Sequence, residues 1–139
     1  MDQVQDQIKG EGMDWYQDIK DFMTAMEQKC RSKPQIPDED TKKLRIELIK
    51  EEVNTELLPA LVNDDLVEIA DAAADSIVVI LGMCIAYGID LRPIWDEVHT
   101  TNMAKKDGPV RLDGKRLKPP GWVPPDIGRL LSEQNNKKE

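Results

Sequence analysis

From about Met13 to Arg31, Trp15, Ile19, Phe22 and Met26 recur at the three- and four-residue spacing of one helix face, which predicts a helix with those side chains in the core. Two prolines between Ser32 and Pro37 break that pattern. A second helix is expected to start near Asp38 or Asp40, acidic residues suited to capping free amide groups, and to run to about Leu61. Pro59 should kink or shorten its last turn. Asn63, Asp64 and Asp65 form a short connector, and Asp65 with Glu68 has the spacing of a capping box for a third helix, about Asp65 to Tyr87, closed by Gly88. Asp90 is placed to cap a fourth helix from Leu91 to about Lys105, with Pro93 tolerated in its first turn. Between Asp107 and Asp126 the prolines 109, 119, 120, 124 and 125 and the glycines 108, 114 and 121 replace helix with loop, and Asp113-Gly114 suits a tight turn. A short helix from Pro125 to about Glu133 ends the pattern. The expected class is all-α, an antiparallel four-helix bundle with a Pro/Gly-rich basic C-terminal loop and a short terminal helix.

The 139 residues fit one domain, with 1–12 and 134–139 expected to fray and 106–126 expected to form a substrate-side loop. Nineteen Lys and Arg against 27 Asp and Glu leave a net charge of −8. That balance disfavours a nucleic acid polymer or an anionic membrane as partner, because phosphate neutralisation needs surplus cations. The longest apolar stretch, Ser76 to Ile89, falls short of the ~20 residues that span a bilayer. The first twenty residues carry no secretory leader pattern, and Cys30 and Cys84 suggest no disulfide framework, so a cytoplasmic location is expected.

Chemistry enters with the carboxylates. In the second helix Leu44, Ile46, Leu48, Ile49, Val53, Leu57, Leu58, Leu61 and Val62 point in nearly every direction at ~100° per residue. That helix is expected to be enclosed on most sides, yet it carries Glu51, Glu52 and Glu56. The third helix holds Glu68, Asp71 and Asp75 on one face, and no Lys or Arg occurs from Leu66 to Tyr87. A solvated face normally mixes in Lys or Arg, and Glu47, Glu51 and Glu97 taken singly fit that ordinary role. The unmixed set instead predicts oxygen ligands for hard divalent cations, Mg²⁺ or Mn²⁺. With His99 the sole histidine and the cysteines scattered, a zinc site is disfavoured, and a typical di-iron bundle is excluded. Downstream the charge reverses: Lys105, Lys106, Arg111, Lys115, Arg116 and Lys118 face only Asp107 and Asp113. An acidic metal cage beside a basic loop suits a polyphosphate substrate. Trp122 is expected to pack that loop onto the bundle.

Leu48-Ile49-Lys50-Glu51-Glu52, Glu68-Ile69-Ala70-Asp71 with Asp75, Trp95-Asp96-Glu97-Val98-His99 and Asn102-Met103-Ala104-Lys105, in that order, resemble the MazG-like all-α nucleoside triphosphate pyrophosphohydrolases. The run from Asp113 to Trp122 and Pro124-Pro125-Asp126-Ile127 is similar to the ending of a subgroup with phosphoribosyl-ATP pyrophosphatase-like and dUTPase-like members. The resemblance covers roughly Leu44 to Ile127. It implies cleavage of a nucleoside triphosphate between the α and β phosphates, giving a monophosphate and pyrophosphate, with Mg²⁺ or Mn²⁺ bound by an E-x-x-E…E-x-x-D set. Carried over, Glu52 and Asp75 are metal ligands, Asp71 and Glu68 further ligands or holders of bound water, and Glu51 orders or deprotonates the attacking water beside Glu52. Asn102 and Lys105 match a substrate-side Asn-x-x-Lys, and Lys115 and Lys118 are placed to close over phosphates. Two positions depart from the pattern: Thr55 stands where an acidic residue is usual, leaving Glu56 one position later as its replacement, and Ala72 stands three before Asp75.

House-cleaning of dUTP or non-standard nucleotides follows from the resemblance alone. Two other readings compete: hydrolysis of phosphoribosyl-ATP or another phosphorylated metabolite, and a non-catalytic acidic helical adaptor. Helices apolar all round also predict a homodimer or a dimer of dimers.

Overall fold

The computed structural model describes residues 13–137, and all its regular elements are helical. The order is α1 (Trp15–Ala25), α2 (Glu39–Ile49), a π-helical segment (Lys50–Leu57), α3 (Leu58–Val62), α4 (Leu66–Ala86), α5 (Leu91–Met103) and α6 (Ile127–Asn136). The fraying expected for 1–12 and 138–139 lies outside the described residues. Residues 134–136 belong to α6 instead of a loose tail, and Gln134 holds the Asp90 backbone through both its amide groups, accepting from N–H at 3.0 Å and donating to C=O at 2.8 Å.

Aspartates start the helices. Asp14, Asp38, Asp65, Asp90 and Asp126 cap α1, α2, α4, α5 and α6, each accepting from a backbone N–H two or three residues on at 3.0–3.2 Å. Only half of the capping box at Asp65 forms, because the Asp65 N–H is taken by the Ala60 carbonyl at 3.1 Å. The first helix stops at Ala25, six residues before its expected end, although no Gly or Pro stands there. Glu27 adopts the left-handed conformation (φ 60°) usually given to glycine, and Gln28 N–H reaches the Met23 carbonyl at 2.8 Å in a Schellman closure.

The second predicted helix is continuous to Val62, but its middle is π. Pro59 supplies the physical reason: it has no N–H to donate, and its ring presses on the carbonyl four residues back. A turn closed five residues back relieves that conflict, and Leu58 N–H bonds Val53 O in this way. Thus Pro59 neither shortens the helix nor ends it; it widens the preceding turns.

The core lies where α1 and α4 meet, with Tyr16, Met23, Ile85 and Ala86 buried together. α4 packs on α1, on α2 and most extensively on the π segment. At 21 residues α4 is long and apolar enough to cross a membrane by length and composition, which the apolar stretch counted from Ser76 did not suggest; here it is the helix against which α1, α2, the π segment and α3 pack. The expected enclosure of the second helix is not observed, since Leu44 (48%), Leu58 (48%) and Val62 (81%) are open to solvent and Arg45 and Ala60 are its buried residues. Arg45 lies in the space left by Gly82, where a Cβ would stand 2.8 Å from Nη1, and its Nε finds no partner among the described residues. Burial pulls its pKa down. α1, α2 with the π segment, and α4 form a three-helix core; α5 touches it through Leu91 and packs chiefly on α6.

A carboxylate row and a tethered basic loop

The π segment and α4 carry the acidic candidates. Ser76, buried on α4, donates to Ala72 O at 2.6 Å and lies 3.4 Å from Glu52 O, fixing the two elements side by side at Glu52. Glu52, Glu68 and Asp75 are partly buried; Glu51, Glu56 and Asp71 are exposed. The seclusion expected of these side chains is therefore incomplete in the single chain.

Their electrostatics nevertheless belong to one group. Burial, followed by repulsion from Asp75, Glu56, Glu51 and Asp71, raises the Glu52 carboxyl above its ordinary value. Burial, followed by Asp71, Glu56 and Asp65, raises Glu68, which also shares a hydrogen bond with Glu56. A carboxyl whose folded pKa exceeds its unfolded one costs stability: the folded state holds more protons, so stability falls as pH rises through the raised value. No Lys or Arg among the described residues is ion-paired with any member of the row; Lys50, the nearest cation in sequence, is held by Glu47 at 3.7 Å.

Glu56 presses on both Glu52 and Glu68. In an α-helix the residue four past Glu52 would overshoot the position that the third residue takes. The i→i+5 ring holds one more residue per turn, which carries Glu56 back toward the row. The oxygen-only donors and uncompensated charge fit a hard divalent cation. No three His, Cys, Asp or Glu side chains among the described residues already converge as a metal-holding group, so a cation would have to draw Glu52, Asp71 and Asp75 together.

The basic side of the candidate site is organised separately. Lys105 donates to Asn102 at 3.1 Å and lies over Trp122, 5.0 Å from the ring centre; Lys118 covers the same ring at 4.9 Å. Trp122 donates its indole N–H to Thr101 O at 2.7 Å, which docks the loop on α5 and not on the three-helix core. Arg111 is ion-paired with Asp113, and Arg116 donates to Gly108 O at 2.6 Å. Lys115 lies exposed across the Asp113-Gly114 turn, where Val110 and Arg116 pair as an antiparallel bridge. No hydrogen bond or ion pair joins Asn102, Lys105, Lys115 or Lys118 to the carboxylate row.

The arrangement can concentrate cations along the π segment and α4, and anions along the loop. Sequence reasoning missed the Trp122 clamp on Lys105 and Lys118, for which the Pro-Pro-Gly-Trp run after Lys118 was the available signal. No curated protein matches the chain. A family model does: that of phosphoribosyl-ATP pyrophosphohydrolase, over residues 19–102, more than half of the chain and the whole carboxylate row.

Proposed function

For a chain that belongs to the phosphoribosyl-ATP pyrophosphohydrolase family, within the MazG-like all-α superfamily, we propose that the carboxylate row catalyses metal-dependent hydrolysis of a nucleoside triphosphate, releasing a nucleoside monophosphate and pyrophosphate. The observation that carries this reading is that the half-buried Glu52 is surrounded by Asp75, Glu56, Glu51 and Asp71, with no cation ion-paired to any of them among the described residues. Such a row is costly to fold and gains its use when divalent cations and a polyphosphate arrive together.

In this proposal Glu52, Asp71 and Asp75 hold Mg²⁺ or Mn²⁺, with Glu56 and Glu68 as further ligands or holders of bound water. When bound, the metal supplies charge neutralisation of the phosphates and a lowered pKa for the attacking water. Glu51 accepts a proton from that water as its oxygen forms the new bond to the α phosphorus. The bond from that phosphorus to the β-phosphate oxygen breaks, and the electron pair leaves on pyrophosphate. Asn102 and Lys105 position the substrate, and Lys115 and Lys118 bind phosphate oxygens once Lys118 leaves the Trp122 ring. The substrate is a canonical or modified (d)NTP, dUTP included, with phosphoribosyl-ATP as the other member of the class.

The test is a pyrophosphate-release screen over canonical, deoxy and modified nucleotides and phosphoribosyl-ATP, with Mg²⁺, Mn²⁺ or EDTA. The expected result is release that needs the metal and is abolished by EDTA. No release with any member of the panel, together with no thermal shift from metal plus nucleotide, leaves the non-catalytic adaptor as the reading.

The same reading includes a homodimer or dimer of dimers. Trp15 (49%) and Phe22 (49%) on α1, Met26 (56%) at its C-cap, and Ile77 (38%) and Ile80 (39%) on α4 stand open to solvent, a two-helix apolar face that a second two-helix face would close into a four-helix bundle. Light scattering is expected to give at least twice the 15.8 kDa chain mass. Phe22→Glu with Ile80→Glu should return it to one chain, and a wild-type monomer at tens of micromolar would refute the dimer.

A further inference from the structure

At the end of α4 away from the carboxylate row, the chain forms an open polar cavity of about 490 Å³. Three parts of the sequence meet there: α1 and the loop after it, the Gly88 turn leading into α5, and the end of α6. From Asp75 to Gly88 is thirteen residues, roughly 20 Å at the helical rise, so this cavity is remote from the row. Its charge is opposite to that of the protein as a whole. Lys20, Arg31, Arg92 and Lys137 line it against one acid, Asp90, in a chain of net charge −8.

Asp90 is ion-paired with only one of those cations, Arg92. Its two oxygens are taken by Arg92 at 2.9 Å each, and Arg92 reaches Asp14 at 2.8 Å. Arg31, with 8% of its side chain exposed, is anchored by Asp38 at 3.0 Å and by the Ala86 carbonyl at 2.8 Å. Both guanidinium groups are thus fixed in orientation before any ligand arrives. Lys20 and Lys137 are ion-paired with no described residue. Tyr16, stacked under Arg92 at 4.6 Å, lines the same space, and burial, with Asp90 second, pushes its phenol up to about 12, so the hydroxyl remains a neutral donor. The volume lies in the range of small-molecule sites.

We infer that this cavity binds a multiply charged phosphoryl anion, held between the Lys20 and Lys137 ammonium groups and the fixed edges of Arg31 and Arg92. The site needs no metal. The carboxylate row, by contrast, repels anions until a divalent cation is present, so titration in EDTA separates the two.

The experiment is calorimetry and amide NMR of the full chain in EDTA at low salt, with pyrophosphate, orthophosphate and a nucleoside monophosphate as probes. Pyrophosphate is expected to bind at least tenfold more tightly than orthophosphate and to move the amide signals of Lys20, Gly88 and Lys137. A monophosphate that binds as tightly as pyrophosphate would make the phosphomonoester the ligand class and still place it here. The pair Lys20→Glu and Lys137→Glu should weaken pyrophosphate at least tenfold and leave pyrophosphohydrolase turnover unchanged, whereas Asp75→Asn should leave this affinity intact. Absence of binding in EDTA overturns the inference, as do signal changes confined to α5 and the basic loop. The wild-type NMR map decides even where the double variant folds poorly.

Discussion

Asp75→Asn is expected to lower pyrophosphate release by at least about a hundredfold while the helical core persists, because on the proposed reading the substitution removes a charge that would hold a divalent cation. Asp75 is the largest electrostatic neighbour of Glu52, and both sit where Ser76 pins α4 beside the π segment. Removing its charge relieves repulsion inside the row, so in EDTA the variant should melt no lower than wild type. With Mn²⁺ the order reverses: wild type gains stability from the bound ion and the variant gains much less. The paired readout, lost turnover with undiminished metal-free stability, is what a purely structural role for Asp75 would not give. Full turnover of Asp75→Asn at saturating Mg²⁺ would remove the row from the catalytic assignment.

That row was legible because composition along a helix is a local property. Glu68, Asp71 and Asp75 share a face at spacings of three and four, and no cation intervenes from Leu66 to Tyr87. The five Asp caps were also local; the sequence marks Asp38, Asp65 and Asp90, while Asp14 and Asp126 emerge only in the structure. What escaped was set by longer-range competition. Glu27 in a left-handed conformation ends α1 with no sequence mark, because the Schellman bonds repay a strain usually left to glycine. The π segment did leave a mark, Pro59, but its consequence for Glu56 depends on how the backbone resolves the missing N–H. The reading of the second helix as enclosed failed for a different reason. Apolar residues all round state that cover is needed, not that the same chain provides it, and Leu44, Leu58 and Val62 stay open to solvent.

Gly88→Ala should be strongly destabilising, at about 3 kcal/mol or more, from ~1–2 for a left-handed alanine and a comparable overpacking cost. Gly88 has φ +74°, and a Cβ there would lie 2.0 Å from the Lys33 carbonyl oxygen and 2.5 Å from its carbon. These are backbone atoms, which no rotamer change can move away. The loop that would have to shift is laced to the end of α4: Arg31 N–H donates to Ile85 O at 3.1 Å, Gln35 N–H to Tyr87 O at 2.9 Å, and the Arg31 guanidinium to Ala86 O at 2.8 Å. Gly88 also completes a Schellman closure, its own N–H on Ile85 O at 3.1 Å and that of Ile89 on Cys84 O at 2.9 Å, next to the fully buried Ile85. Gly114 supplies the control, with φ +93° and open space where its Cβ would go, so Gly114→Ala bears the conformational cost alone, about 1–2 kcal/mol. Thermal melts should therefore place Gly88→Ala roughly 10 °C or more below wild type, with Gly114→Ala much closer to it. Equal losses in the two variants would mean that the Lys33 loop does not close on the Gly88 turn as described.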